Sequence, residues 1–286
     1  MSSPTNRDAI RIFTQANKAA WNASAPLHGQ GSGWDELLRA AGQPGFSVLD
    51  DCLTTTLTAL GVEGRSAVQI GCNNARELLS LASLGACPAL GIDQSAAFLA
   101  QAARLAAATG LNPRLVEADV YDLPEDLGHY DLVLITIGVL NWMPDLEHFF
   151  HIVRGLMNPG ALLVIYETHP ILEMFDPHGD TPLVPELSYF DKAPVKIEDL
   201  ITYDGSDGGE GEAGYWFVHT LGEIVTACVQ SGMQLQRLEE HPHHNREVDY
   251  DIYENQSAQM PLSYTLVAQA TLQRAGSVTT GCIADA

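Results

Sequence analysis

Ser66-Ala67-Val68-Gln69-Ile70-Gly71-Cys72-Asn73-Asn74 is the stretch that decides the fold. A short apolar run stops at a glycine, and two asparagines, which tolerate positive φ, precede a helix-forming segment over Asn74–Leu84. The same pattern recurs downstream: Ala89-Leu90-Gly91-Ile92 runs into Asp93, and Arg114-Leu115-Val116-Glu117-Ala118 runs into Asp119. Tyr130–Ile137 runs into Gly138 and is almost continuously apolar, as a strand covered on both faces should be. Ser95 caps a helix over Ala96–Ala108 that Gly110 closes, Leu146–Met157 is helical, and Ala161–Tyr166 is a fifth strand. Strands alternating with helices of this length predict an α/β chain with a doubly wound parallel sheet. Gln234–Glu239 and Leu262–Thr271 bring the expected strand count to seven.

Upstream, Asn6–Ala23, Gly33–Ala41 and Phe46–Leu60 read as helices, so 1–60 is expected to be a helical cap on a core spanning 61–169. Downstream, Pro177, Pro182, Pro185 and Pro194 break the alternation. Residues 170–218 therefore read as an inserted, small β-rich subdomain on the substrate side, with strands over Leu187–Phe190 and Val195–Ile201 and a mobile loop over Asp204–Gly214. A helix over Leu221–Ser231 opens the C-terminal part of the core, 219–273, and 274–286 reads as a disordered tail.

The 286 residues carry 36 acidic and 14 basic side chains, a formal charge of −22, with no Lys/Arg run. Nucleic-acid binders draw most of their affinity from cations on phosphates, so no nucleic-acid partner is expected. No apolar run reaches the length of about 18–20 residues that crosses a bilayer, and the N-terminus lacks a secretion pattern, so a cytoplasmic protein is expected. The five cysteines are odd in number and scattered, which argues against a disulfide framework or a structural zinc. His241-Pro242-His243-His244 is too tightly spaced for three ligands to one ion, with no acid or thiol fixed beside it in sequence, so no metal is expected.

In an open parallel sheet, ligands sit beyond the carboxyl ends of the strands at the switch point. Gly71-Cys72-Asn73-Asn74, Asp93, Asp119 and Thr136-Ile137-Gly138 all fall at such ends. The step of 22 residues from Gly71 to Asp93 suits an acid gripping ribose hydroxyls one strand over, which points to a nucleoside. The second and third glycines of a diphosphate-cradling G-x-G-x-x-G are missing, and so is any Gly-Lys-Ser/Thr loop, so a nucleoside without phosphates fits best.

Val68–Glu77 resembles the first motif of class I S-adenosylmethionine-dependent methyltransferases, in a Cys-Asn-Asn form. Gly91–Ser95 is similar to their ribose motif and Glu117–Pro124 to their adenine-side motif. Tyr130–Trp142 resembles motif IV, and Leu156–Ala161 the turn before strand five. Gln69 departs from the acid usual at the end of strand one.

The resemblance implies a Rossmann-like fold and S-adenosyl-L-methionine as cofactor, leaving as S-adenosyl-L-homocysteine. It implies cofactor contacts at Gly71, Cys72, Asn73, Asn74, Asp93, Gln94, Asp119, Val120, Thr136, Ile137 and Gly138, with Phe98 beside the adenine. The segment Asn17–His28 is similar to a lid helix in small-molecule members, which adds Trp21 to the cofactor side and Asn22 and His28 to the substrate side. Asn141, Trp142 and Trp216 are expected to edge the pocket of a small-molecule methyl acceptor, an aromatic or heterocyclic metabolite methylated at N or O by in-line displacement. A phenolic acceptor would benefit from a base, for which His169, His219 and Tyr166 are the candidates. The other readings are a protein that binds the cofactor without turnover and a protein or RNA methyltransferase; a monomer or homodimer is expected.

Overall fold

The computed structural model describes residues 4–203, 205–206 and 208–271. Five strands follow the first motif in turn: β1 (Ser66–Ile70), β2 (Cys87–Asp93), β3 (Arg114–Glu117), β4 (Tyr130–Thr136) and β5 (Met157–Thr168). They are parallel to one another, and the chain reaches β2 and β3 on one side of β1 before crossing to β4 and β5 on the other. With β8 (Met233–His241) and β9 (Ser263–Ala270) the sheet has seven strands in the order β3-β2-β1-β4-β5-β9-β8. β9 runs antiparallel between β5 and β8. The reversal of strand order at β1 and β4 opens a crevice beyond their carboxyl ends.

Period-two alternation divides the core between the two faces of the sheet. Val68, Ile70, Val133 and Ile135 point to one side, with Phe149, Phe150 and Val153 of the helix Leu146–Gly155. Ala67, Leu132, Leu134 and Val164 point to the other, against Leu53 and Leu57 of α3 (Asp51–Leu60), Leu78 of α4 (Arg76–Ser80) and Leu99 of α5 (Ala96–Thr109).

Several elements depart from expectation. Helix α1 (Pro4–His28) continues past Pro26. The third helix begins at Asp51 rather than Phe46, because Asp50 caps it by accepting from the Leu53 N–H at 2.8 Å. The helix expected over Asn74–Leu84 is short and tightens into a 3-10 turn over Leu81–Leu84. Leu187–Phe190 forms no strand. Instead β6 (Val195–Asp199) pairs antiparallel with β7 (Glu210–Trp216), which lies largely within the stretch expected to be a mobile loop. Glycines at 211 and 214 hide that strand's alternation; at Gly211 and Gly214 an added Cβ would crowd the Leu200 backbone at 2.9 Å and the Trp142 ring at 3.2 Å. The expected tail at 274–286 lies outside the described residues, and no helix among the described residues is long and apolar enough to cross a membrane.

Candidate active site

The crevice is walled first by the turn after β1. Gly71 adopts φ +63°, and a Cβ there would sit 2.7 Å from the Val139 side chain, so only glycine lets the two loops close together. Asn73 (φ 52°) and Ala75 (φ 60°) take the remaining left-handed positions. Asn74 does not: it is buried, and its side-chain Oδ1 accepts from the Arg76 N–H behind the cavity wall. Gln69 does what a carboxylate could not. Its amide donates to Thr136 Oγ1 at 3.0 Å while its carbonyl accepts from the Leu78 N–H at 2.9 Å, tying β1 to both β4 and α4.

Asp93 closes the next wall. One carboxylate oxygen accepts from the Asn73 N–H at 2.7 Å and the other from the Ser95 N–H at 2.8 Å. Burial pushes its pKa up while those backbone amides oppose the shift. Asp119 accepts from the Tyr121 N–H at 3.0 Å and caps the turn Val120–Asp122. Ile92, Ala118 and Val120 give an apolar slot between the two acids.

Beyond β4, Ile137 (φ 36°) and Gly138 (φ 83°) turn sharply, a costly conformation for a β-branched residue. Glu167, at the end of β5 and 2% exposed, holds the turn. Its carboxylate accepts from the amides of Gly138, Val139 (2.9 Å) and Leu140 (3.3 Å). Burial raises its pKa to about 7 against those three donors. The residue carries no motif signal; an acid closing an apolar strand was its sole mark in the sequence.

Helix α1 and the β6–β7 hairpin roof the cavity. Asn17 lends its side-chain amide to the edge of β7, accepting from the Tyr215 N–H at 2.6 Å and donating to the Tyr215 carbonyl at 3.1 Å. Trp21 reaches the cavity and meets Phe98 and Trp142 edge-on, with ring centroids 5.7 and 5.3 Å apart; Trp142 meets Trp216 in turn at 5.2 Å. Phe98 is fully buried behind Trp21 and lies outside the lining. Behind the indoles, Glu173 accepts from Trp216 Nε1 at 2.9 Å and from the Asn141 amide at 3.2 Å, and burial lifts its pKa to about 7.

One end of the cavity is strongly polar through residues sequence reading passed over. Arg76, Glu77, Tyr203, Arg246 and Glu247 meet there. Arg76 lies over the Tyr203 ring and, with Arg246, pairs with Glu77. Burial alone would raise the Glu77 carboxyl, but the two guanidinium groups outweigh it and hold the pKa below the usual range. Glu247 shifts the other way, raised by burial and by Asp249. Tyr203 and Arg246 arrive from loops more than a hundred residues from the first motif, so no local pattern marks them.

The structure thus brings Trp21, Gly71, Cys72, Asn73, Asp93, Gln94, Asp119, Val120, Thr136, Ile137, Gly138 and Trp142 to one cavity. It puts the other expected residues elsewhere. Asn22 accepts from Ser95 Oγ (2.8 Å) and the Ala97 N–H (3.2 Å), pinning α1 to the start of α5. His28 bonds the Ile201 carbonyl at 2.8 Å and packs on Tyr203. Asn141 and Trp216 form the layer behind the wall. The three expected bases are not in the lining. His169 accepts from the Ile171 N–H through Nδ1, which leaves Nε2–H to donate to Glu240 at 2.9 Å: it caps a turn. His219 donates from Nε2 to the Met143 carbonyl at 2.8 Å, behind the wall. Tyr166 points to the α3 side of the sheet because alternation along β5 sends Glu167, not Tyr166, toward the turn after β4. Burial lowers the pKa of both histidines.

Residues 67–160, which carry Gly71, Asp93, Asp119 and Gly138, match the family model for the methyltransferase domain. Among solved structures, the chain is similar to an S-adenosylmethionine-dependent methyltransferase from Mesorhizobium loti (TM-score 0.55, 21% identity, covering 82% of this chain and 96% of that one). It is also similar to the CcbJ methyltransferase from Streptomyces caelestis (TM-score 0.57, 14% identity, 89% and 98% covered). The cyclase SpnF has the same likeness (TM-score 0.52, 15% identity, 77% and 81% covered), so structural likeness at this identity establishes the fold alone. No curated protein matches by sequence. The segment 67–160, which carries the motifs, matches a methyltransferase domain, and the sheet on which it sits has the fold of solved S-adenosylmethionine-dependent methyltransferases.

Proposed function

We propose that the chain methylates nitrogen or oxygen of a small aromatic or heterocyclic acceptor held beneath α1. The observation that carries this is the row of indoles Trp21, Trp142 and Trp216, two of them in the wall of a roofed cavity. A flat apolar ring packs well on such surfaces, whereas a protein or RNA acceptor needs an open groove. The chain's charge of −22 points the same way.

The donor groups fit S-adenosylmethionine along the length of the cavity. Asp93 has lone pairs left for two ribose hydroxyls, and the second oxygen of Asp119 suits the exocyclic amine of adenine seated between Ile92, Ala118 and Val120. At the polar end, Arg76 suits an α-carboxylate and Glu247 an α-ammonium. When bound, the cofactor supplies a methyl group made electrophilic by its sulfonium. The protein's share is to aim the acceptor's lone pair and exclude water, and the roof of α1 and β7 does the second. His219 and Glu173 are positioning residues: the first holds the Met143 carbonyl, the second holds Trp216 and Asn141.

The test is to incubate the protein with metabolite extracts and cofactor labelled in its methyl group, followed by mass spectrometry. A labelled low-mass aromatic product is expected. Asp93→Ala should abolish it, because losing two charge-assisted hydrogen bonds of about 1.5 kcal/mol each weakens cofactor binding about a hundredfold. Label appearing only on protein or RNA, or no uptake of cofactor or S-adenosylhomocysteine by calorimetry, would sink the reading.

A further inference from the structure

We infer that Cys52, His241 and His243 form a binding site for a divalent transition metal of the zinc type, separate from the cofactor cavity. The local sequence around His241-Pro242-His243 offers no thiol. The fold supplies one from 189 residues away, in the first turn of α3. One ligand atom from each of the three side chains lies within 4.8 Å of the others, and none of the three lines the cavity.

The Cys52–His241 spacing suits a shared metal as well as it suits the thiol–imidazole contact, and His241 Nε2 also lies 2.9 Å from Thr265 Oγ1. Zinc bonds of about 2.3 Å to sulfur and about 2.0–2.1 Å to nitrogen, opened to a tetrahedral angle, place the two ligand atoms about 3.5 Å apart. Cys52 Sγ and His241 Nε2 are 3.4 Å apart. His243 already has the outer partner that metal-bound imidazoles use. Its Nδ1 lies 3.1 Å from the His244 carbonyl, so Nδ1 carries the proton and Nε2 keeps its lone pair for a metal. The rings of His241 and His243 stack at 5.1 Å, which presents both nitrogens to one side.

A second, independent feature points to the same place. Tyr166 is fully buried and its hydroxyl has no hydrogen-bond partner among the described residues. Its ring lies 6.3 Å from that of His241, and the hydroxyl faces Asp50, Cys52 and Ser263. A metal-bound water in the fourth position would give that hydroxyl a closer partner than Asp50, Cys52 or Ser263 do. The surrounding charge suits a cation: Asp50 and Glu239 face the thiol, with Arg237 the opposing group. A cysteine ligates as the thiolate, so its proton leaves when the metal binds. Binding one ion therefore releases one proton from Cys52, while His241 and His243 enter as neutral donors. The bound ion would clamp the end of the helical cap to the β8–β9 edge.

The test uses the untagged full chain, stripped with chelator and titrated with Co²⁺. The expected result is one equivalent bound with a thiolate-to-cobalt charge-transfer band and the visible absorption of a tetrahedral site. One proton should be released per ion, and Zn²⁺ should bleach the bands. Cys52→Ser and His243→Gln should each remove the charge-transfer band, while Cys87→Ser, at an exposed thiol, should keep it. Zn²⁺ should raise the thermal midpoint of the native chain and leave that of Cys52→Ser where it was. No band in the native chain, or a band that survives either ligand substitution, overturns the assignment. His243 is only partly buried, so His243→Gln keeps the test valid should Cys52→Ser fold poorly.

Discussion

At Glu167 a single side chain accepts from three consecutive amides of the loop that walls the cavity. Glutamine has the same shape but one acceptor oxygen, and its NH2 would face an amide hydrogen. Leaving a buried donor unmatched costs about 1–3 kcal/mol. Glu167→Gln should therefore lower stability by that amount in denaturant titrations. It should also weaken S-adenosylmethionine binding, because Gly138 and Val139 lose their hold on a turn that Ile137 enters with unfavourable φ. Native-like behaviour in both measurements would remove Glu167 from the site. Gly71, Asp93 and Asp119 were readable because each closes a strand, where sequence order and spatial order coincide. Glu167 also closes a strand, yet hydrogen bonds across the sheet define its role and leave no local pattern. Arg246 and Tyr203 are the extreme case: they meet Arg76 and Glu77 only after the chain has folded back from β8 and from the β6–β7 hairpin.

The roof depends on one asparagine. Asn17 stands in for a strand's peptide group, so α1 and β7 are joined by side chain where backbone pairing is unavailable. The same amide also donates to the Trp142 carbonyl at 3.4 Å. Asn17→Ala should cost about 1–3 kcal/mol and raise the KM for the acceptor as the indole wall loosens. Asn17→Asp should be no better: it keeps the acceptor for the Tyr215 N–H but sets an oxygen against two carbonyls. Thermal unfolding and steady-state kinetics of the two variants check this, and an aspartate variant that restores both would contradict the pairing. The sheet was legible because parallel strands buried on both faces are written as apolar runs. β7 was not, because Gly211 and Gly214 are there for close approach to a loop and an indole, and that spacing imitates a flexible linker.

For the molecule as a whole, the carboxyls raised furthest, Glu167 and Glu173, impose a direction on stability against pH. Glu167 and Glu173 hold their protons up to about pH 7 in the fold, against 4.5 for the ordinary group. Each therefore binds a proton more tightly folded than unfolded. The stability it contributes is full below pH 4.5 and is lost as pH rises through about 7. Other groups work in the opposite sense: Asp131 is held low by its bonds from Asn158 and Ser66, and its contribution is lost toward acid. A bare pH profile of the native chain mixes these terms, so the difference between native and Glu173→Gln isolates one of them. Glutamine keeps an acceptor for Trp216 Nε1 and never ionises. In urea titrations the native chain should therefore lose stability relative to Glu173→Gln between pH 5.5 and 8. The loss should stay below the bound of about 3 kcal/mol set by the two end points. Parallel profiles would mean that Glu173 is solvated in the fold and does not hold the indole wall as a buried carboxyl.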